Sequence, residues 1–158
     1  MRKVQEFPPK STPGQESVWD YPTPPRVEAT SRRLRVEFGG VTIAETTRAL
    51  RVLERSKPPI YFFPAEDVDA RYLRKAATRS FSEFKGRAVH WDLRVGERES
   101  ANAAWSYPRP ARPYEALANR IAFFAGRSGD CYVDEERVEA RKGEQERGWV
   151  TKDVAGLS

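Results

Sequence analysis

A mainly β, antiparallel single domain is what the 158-residue sequence predicts. The apolar residues fall in short runs with a two-residue period. Gly- and Pro-rich breaks separate the runs, and no regular helices are patterned between them. Leu34, Val36 and Phe38 alternate with Arg33, Arg35 and Glu37, as a half-buried strand requires. Gly39-Gly40 follows and Val41 and Ile43 resume the alternation, so the segment reads as a β-hairpin whose tight turn needs positive φ. Arg48 to Glu54 suits a short amphipathic helix or a strand; Pro58-Pro59 ends it early and favours the strand. In the run Ile60 to Phe63, Tyr61 and Phe63 share a face. Pro64 to Val68 opens like one of the one or two short helices expected, with acids in its first turn. Val89, Trp91, Leu93 and Val95 form one face of a strand, and Ala88, His90, Asp92 and Arg94 its solvated polar face. Gly96-Glu97 turns the chain back into Arg98 to Ala101. Ile121 to Phe124, Cys131 to Val138 and Trp149 to Thr151 supply the later strands.

Composition bounds the function. Lys and Arg number 28 against 23 Asp and Glu, with 12 Pro and a single Cys, Met and His. No apolar run approaches the roughly 18 residues of a membrane helix. The N-terminus lacks the apolar stretch of a secretory signal, so a cytoplasmic location is expected. One Cys excludes an internal disulfide, and one Cys with one His leaves no set for zinc; a metal-free chain without cofactors is expected. Six of the prolines lie in residues 1–30. Residues 1–17 are therefore expected to be a flexible arm, 18–152 the domain and 153–158 a flexible tail. Residues 1–128 carry 23 basic and 15 acidic groups, and residues 129–158 carry 5 and 8, so the basic character belongs to the body. Trp19-Asp20-Tyr21-Pro22-Thr23-Pro24 and Trp105-Ser106-Tyr107-Pro108-Arg109-Pro110 share the form Trp-x-Tyr-Pro-x-Pro; duplication and chance both explain the echo.

Several blocks resemble the bacterial family catalogued as domain of unknown function 427. They are Trp19-Asp20-Tyr21-Pro22 with Pro25-Arg26-Val27-Glu28, Thr47 to Glu54, Pro58 to Pro64, Phe84-Lys85-Gly86-Arg87-Ala88, Asn102 to Pro108, Ile121 to Phe124 and Gly148 to Thr151. The resemblance implies a β-tent-like fold: two antiparallel sheets that lean together around a cleft. It also brings a nucleotidyltransferase label without a mechanism. Ser82-Glu83 stands where that family often has Cys-Pro, and His90 where an aromatic is common.

The residues give that label little support. Metal-assisted nucleotidyl transfer needs carboxylates converging on Mg²⁺. Gly39-Gly40 has no acidic pair on a following strand, and Asp67 and Asp69 sit in an expected helix start, where the period separates them. Cys131 reads as a buried strand residue. The rings of Trp19, Tyr21, Tyr61, Trp105 and Tyr107 are expected to wall a cleft, while Phe63 and Trp91 fill the core. Arg51 and Lys85 are expected to orient an anionic group there, with Asn102 as a hydrogen-bonding partner. Arg71, Arg74, Lys75, Arg79, Lys85 and Arg87 make residues 71–87 the best nucleic-acid candidate, but a solvated charged surface explains them better. Three functions are thus in view. The first is binding of an unidentified small polar or aromatic ligand in a cleft between two sheets. The second is a transferase or hydrolase using the same cleft, with Glu54, Asp92 or His90 as acid or base. The third is a non-specific nucleic-acid accessory role.

Overall fold

The computed structural model describes residues 14–157. Strands β1 Glu16–Ser17, β2 Arg26–Ala29, β3 Leu34–Phe38, β4 Val41–Thr46, β5 Leu50–Leu53, β6 Ile60–Pro64, β7 Leu73–Ser82, β8 Gly86–Val95, β9 Arg98–Ser106, β10 Arg120–Phe123, β11 Asp130–Val133, β12 Glu136–Arg137 and β13 Val154–Ala155 account for most of the regular structure. Two antiparallel sheets result. The larger runs β2-β5-β6-β10-β9-β8-β7 and the smaller β12-β11-β3-β4. The fold is mainly β, as expected. In place of one or two short helices, the described residues contain only 3-10 turns, at Val18–Asp20, Ala65–Asp67, Ala70–Tyr72, Arg112–Leu117 and Gly143–Gln145. Pro64 precedes the second of these turns rather than opening a helix, because the chain must return to β structure within a few residues.

The expected hairpin is β3–β4. Gly39 and Gly40 have φ of 60° and 81°, and a Cβ on Gly39 would lie 3.0 Å from Val95 Cβ, so glycine serves both the turn and a close approach to β8. A second tight turn, Asp134-Glu135, joins β11 to β12. Residues 1–13 of the expected arm lie outside the described residues. At its end, β1 pairs in parallel with β13, inside the stretch expected as a tail.

The sheets share one core. Leu34, Val36, Ile43, Ala44, Cys131 and Val133 from the small sheet meet Tyr61, Phe63, Leu93, Ala103, Ala104, Ile121 and Phe123 from the large one, with Trp149 among them. Phe63 meets Phe123 edge-on at 5.3 Å and Trp149 at 5.8 Å, contacts worth about 0.5–1.5 kcal/mol each beyond the area they bury. Trp149 Nε1 donates to Phe123 O at 2.9 Å, which satisfies the one polar atom that burial of the indole would strand. Cys131 is buried here, and burial pushes its thiol well up.

Candidate functional site: a cation-lined cavity on one face of the large sheet

Because strand residues alternate, the outward face of the large sheet is specified by the same register that builds the core. Tyr61 and Phe63 point into the shared core, so Phe62 points the other way; Ile121 and Phe123 likewise oppose Ala122 and Phe124. Paired across the ladder, Val52 with Ile60, Ala122 with Trp105, His90 with Trp105 and Ser80 with Ala88 place one continuous set of side chains on this second face. Leu50 and Val52 belong to that set, and Glu54 continues their phase. A cavity of about 290 Å³ opens there, lined by Glu54, Lys57, Ile60, Ser80, Phe81, Ser82, Lys85 and Tyr107, with Glu144, Arg147 and Gly148 as the facing wall.

The expected cleft between the sheets is therefore corrected. The inter-sheet space is packed with apolar side chains, and the open space lies on the opposite face of the large sheet. The wall can approach because residue 148 is glycine: a Cβ there would sit 2.4 Å from Pro58 Cγ. Trp149 N donates to Pro59 O at 2.8 Å and fixes the segment that carries Arg147.

Lys85 occupies the β7–β8 turn. The Ser82 hydroxyl accepts from Phe84 N and Lys85 N, and Lys85 O accepts from Ala111 N at 2.9 Å, so the backbone on both sides of the residue is held. Ser82, one of the departures from the resembled pattern, thus serves as the turn's acceptor. Lys85 is only 5% exposed, and among the described residues no hydrogen bond or ion pair reaches its Nζ. The Tyr114 ring centroid is 5.9 Å away, at the limit of cation–π reach. Burial lowers the Lys85 pKa from its ordinary value; Glu54 opposes the shift, and Arg147 and Lys57 add to it.

His90 lies beneath this wall at 4% exposure, which corrects the expected solvated face of β8. Both faces of the strand are covered because the large sheet carries a core on each side. His90 Nε2 is 2.8 Å from Ser80 Oγ, while Nδ1 has no hydrogen-bond partner. Burial, then the charges of Arg147, Arg127 and Arg79, hold the imidazole below its ordinary pKa and keep it neutral at pH 7. The Arg147 guanidinium carbon stands 4.8 Å from the Trp105 ring centroid and 5.1 Å from that of Phe124. No carboxylate pairs with Arg147 among the described residues, whereas Arg127 is bonded to Glu146 at 2.7 Å. Burial raises the Tyr107 pKa, partly offset by Arg147 and by the nearby Trp105 and Ser82 polar groups.

The structure thus gathers Glu54, Lys85 and Tyr107 into one cavity lining, with His90 and Trp105 directly behind it. Other expected site residues lie elsewhere. Arg51 projects opposite to Val52, away from the cavity, and is held by Glu16 and Glu28 at 2.5 Å and 2.6 Å. Tyr21 OH donates to Glu16 at 2.6 Å, and Trp19 Nε1 donates to Gly156 O at 2.9 Å. Tyr21 packs with Val18 and Leu53 in a third cluster, and Tyr61 is in the inter-sheet core against Trp149. Asn102, with φ of 52°, sits at an irregularity between β8 and β9, where its N–H donates to Asp92 at 2.8 Å. That bond gives both residues a part in the backbone turn. Of the six cations in 71–87, Arg71 is paired with Asp69, Arg74 and Arg79 donate to nearby backbone carbonyls, and Lys85 is buried.

Ser80, Lys57 and Arg147 are missing from the sequence reading, and Ser82 is named there only as a departure from the family pattern. Ser80 and Ser82 flank Phe81, which is 75% exposed at the cavity's edge; only their two-residue spacing hints at a shared face. Arg147 lies in an irregular stretch, where no period reports direction.

Fold and site together define a mainly β domain with a cavity of cations, carboxylates and rings on one sheet face. The family model described as Domain of unknown function (DUF427) matches residues 26–135, and the chain belongs to that family. The matched stretch contains Glu54, Ser80, Lys85, His90 and Tyr107, and the Arg147 wall follows it. No curated protein matches the chain. Among the described residues, no group of three or more His, Cys, Asp or Glu is placed to hold a metal ion, and no helix is long and apolar enough to cross a membrane.

Proposed function

We propose that this domain binds a small anionic ligand in the Lys85 cavity. The observation that carries the reading is a lysine buried to 5% exposure, facing an open cavity, with no partner for its ammonium. A buried charge that is not bonded to a counter-ion is costly, and an anion arriving in the cavity lowers that cost. Arg147 supplies a planar fork whose face is fixed against Trp105 and Phe124, suited to a carboxylate or phosphate. The cavity lies at the lower end of the ordinary size for small-molecule sites.

The test is thermal stabilisation by a panel of inorganic phosphate, nucleotides and small carboxylates, on the natural chain and on Lys85→Met. A panel member at 100 times its Kd stabilises the natural chain by about 2.7 kcal/mol. That gain is lost in Lys85→Met and kept in Lys75→Met, whose lysine is exposed. Equal stabilisation of all three proteins, or of none by any member, overturns the reading.

A further inference from the structure

We propose that Lys85 is a covalent nucleophile that forms an imine with a small 2-oxo acid, whose carboxylate is seated on Arg147. This deepens the anion-binding reading and rests on it.

A lysine held only for its charge works best in a bonded ion pair, and among the described residues no carboxylate is bonded to Lys85, Glu54 acting on it only through space. Its side chain is instead enclosed beside two further cations, Arg147 and Lys57, in the wall of the same cavity. Burial and those like charges favour the uncharged amine, the form that attacks a carbonyl carbon. Glu54, Glu144 and Glu146 line the same cavity, but among the described residues none is ion-paired with Arg147, which leaves its guanidinium open to a carboxylate. A 2-oxo acid carries its carbonyl on the carbon next to its carboxylate. Glu54 lines the cavity, and among the described residues its carboxylate has no hydrogen bond or ion pair. It is thus placed to move protons.

The step balances without an oxidant. The Lys85 nitrogen forms a bond to the carbonyl carbon, the carbonyl π bond breaks, and Glu54 carries the first of the two nitrogen protons to the oxygen, giving a neutral carbinolamine. The second follows the same route: Glu54 accepts it from nitrogen and returns it to the hydroxyl. The C–O bond breaks, water departs, and the C=N double bond forms. One water is released for each imine.

The experiment uses the full chain with glyoxylate, pyruvate or 2-oxoglutarate, with and without sodium cyanoborohydride, followed by peptide mass spectrometry. The chain has seven lysines, which serve as internal controls. Expected is one reduced adduct at Lys85, formed at least about tenfold faster than at any other lysine, because the bound carboxylate holds the carbonyl beside its nitrogen. It should disappear when the protein is unfolded in urea, and Arg147→Gln should slow it. Adducts spread over the exposed lysines without preference for Lys85 overturn the proposal. Lactate, which has the carboxylate but no carbonyl, separates the two readings. If lactate stabilises the natural chain but not Lys85→Met and no 2-oxo acid is trapped at Lys85, anion binding stands and the imine fails. If lactate does not bind and nothing is trapped, both fail.

Discussion

The two Trp-x-Tyr-Pro-x-Pro segments share four of six residues and have opposite fates. In the first, Trp19 lies in a 3-10 turn, its Nε1 donates to Gly156 O, and the Tyr21 hydroxyl donates to Glu16. Those bonds tie the N-terminal strand to the C-terminal one and to Arg51 on β5. In the second, Trp105 ends a strand, its ring carries the Arg147 guanidinium, and Tyr107 faces a cavity. One copy closes a seam in which Arg51 is paired with Glu16 and Glu28. The other borders Lys85 and Arg147, neither of which is in a bonded ion pair among the described residues. A motif of rings and prolines therefore sets local stiffness, while the register of the neighbouring strands decides whether it seals or opens.

Paired substitutions break or sharpen this contrast. The largest difference is expected between the indoles. Trp105→Ala, at a site with no solvent exposure, should cost about 3–5 kcal/mol, and Trp19→Ala, only partly buried, about 1–2 kcal/mol, both read from urea denaturation midpoints. Equal losses would show that the first segment is packed as fully as the second. Smaller is the difference between the phenols. Tyr21→Phe removes a bond to a charged carboxylate and should cost about 1.5–3 kcal/mol, while Tyr107→Phe should change stability by less than about 1 kcal/mol and weaken ligand-induced stabilisation instead.

The smallest effect is in pH dependence. His90 has its folded pKa depressed below 6.5, so the stability it contributes is present above that value and is lost as pH falls through the folded pKa. Glu16 is depressed below 4.5, with burial opposed by bonds to Arg51 and Tyr21, so its contribution is lost only in stronger acid. Denaturation midpoints of His90→Asn should therefore fall less than those of the natural chain just below pH 6.5, and those of Glu16→Gln should differ in slope only below pH 4.5. If both variants flatten the same pH interval, the two surroundings are not electrically distinct.

Alternation made much of the fold legible. Leu34, Val36 and Phe38 with Gly39-Gly40 predicted β3–β4, and Tyr61 and Phe63 do share a face of β6. The strand preferred for Arg48 to Glu54 is β5. Other features left no such trace. β1, β12 and β13 have two residues each, too few to show a period, and the irregularities between Lys75 and Arg79 on β7 and between Trp91 and Leu93 on β8 shift the phase of long strands. The site divided in the same way. Lys85, Tyr107 and Glu54, expected around a cleft between the sheets, line one cavity on the other face of the large sheet. Arg51 was placed with them wrongly, because a residue one step from Val52 points to the other face.

By itself the sequence determined which residues alternate and where glycine and proline must interrupt them, because these follow from local geometry and solvation. Which face of the large sheet would be filled and which left open was decided only by the tertiary structure. The small sheet and Trp149 occupy one side completely. On the other, a segment without any period folds back over Pro58 at Gly148, leaving Lys85 enclosed and its ammonium without a bonded partner among the described residues.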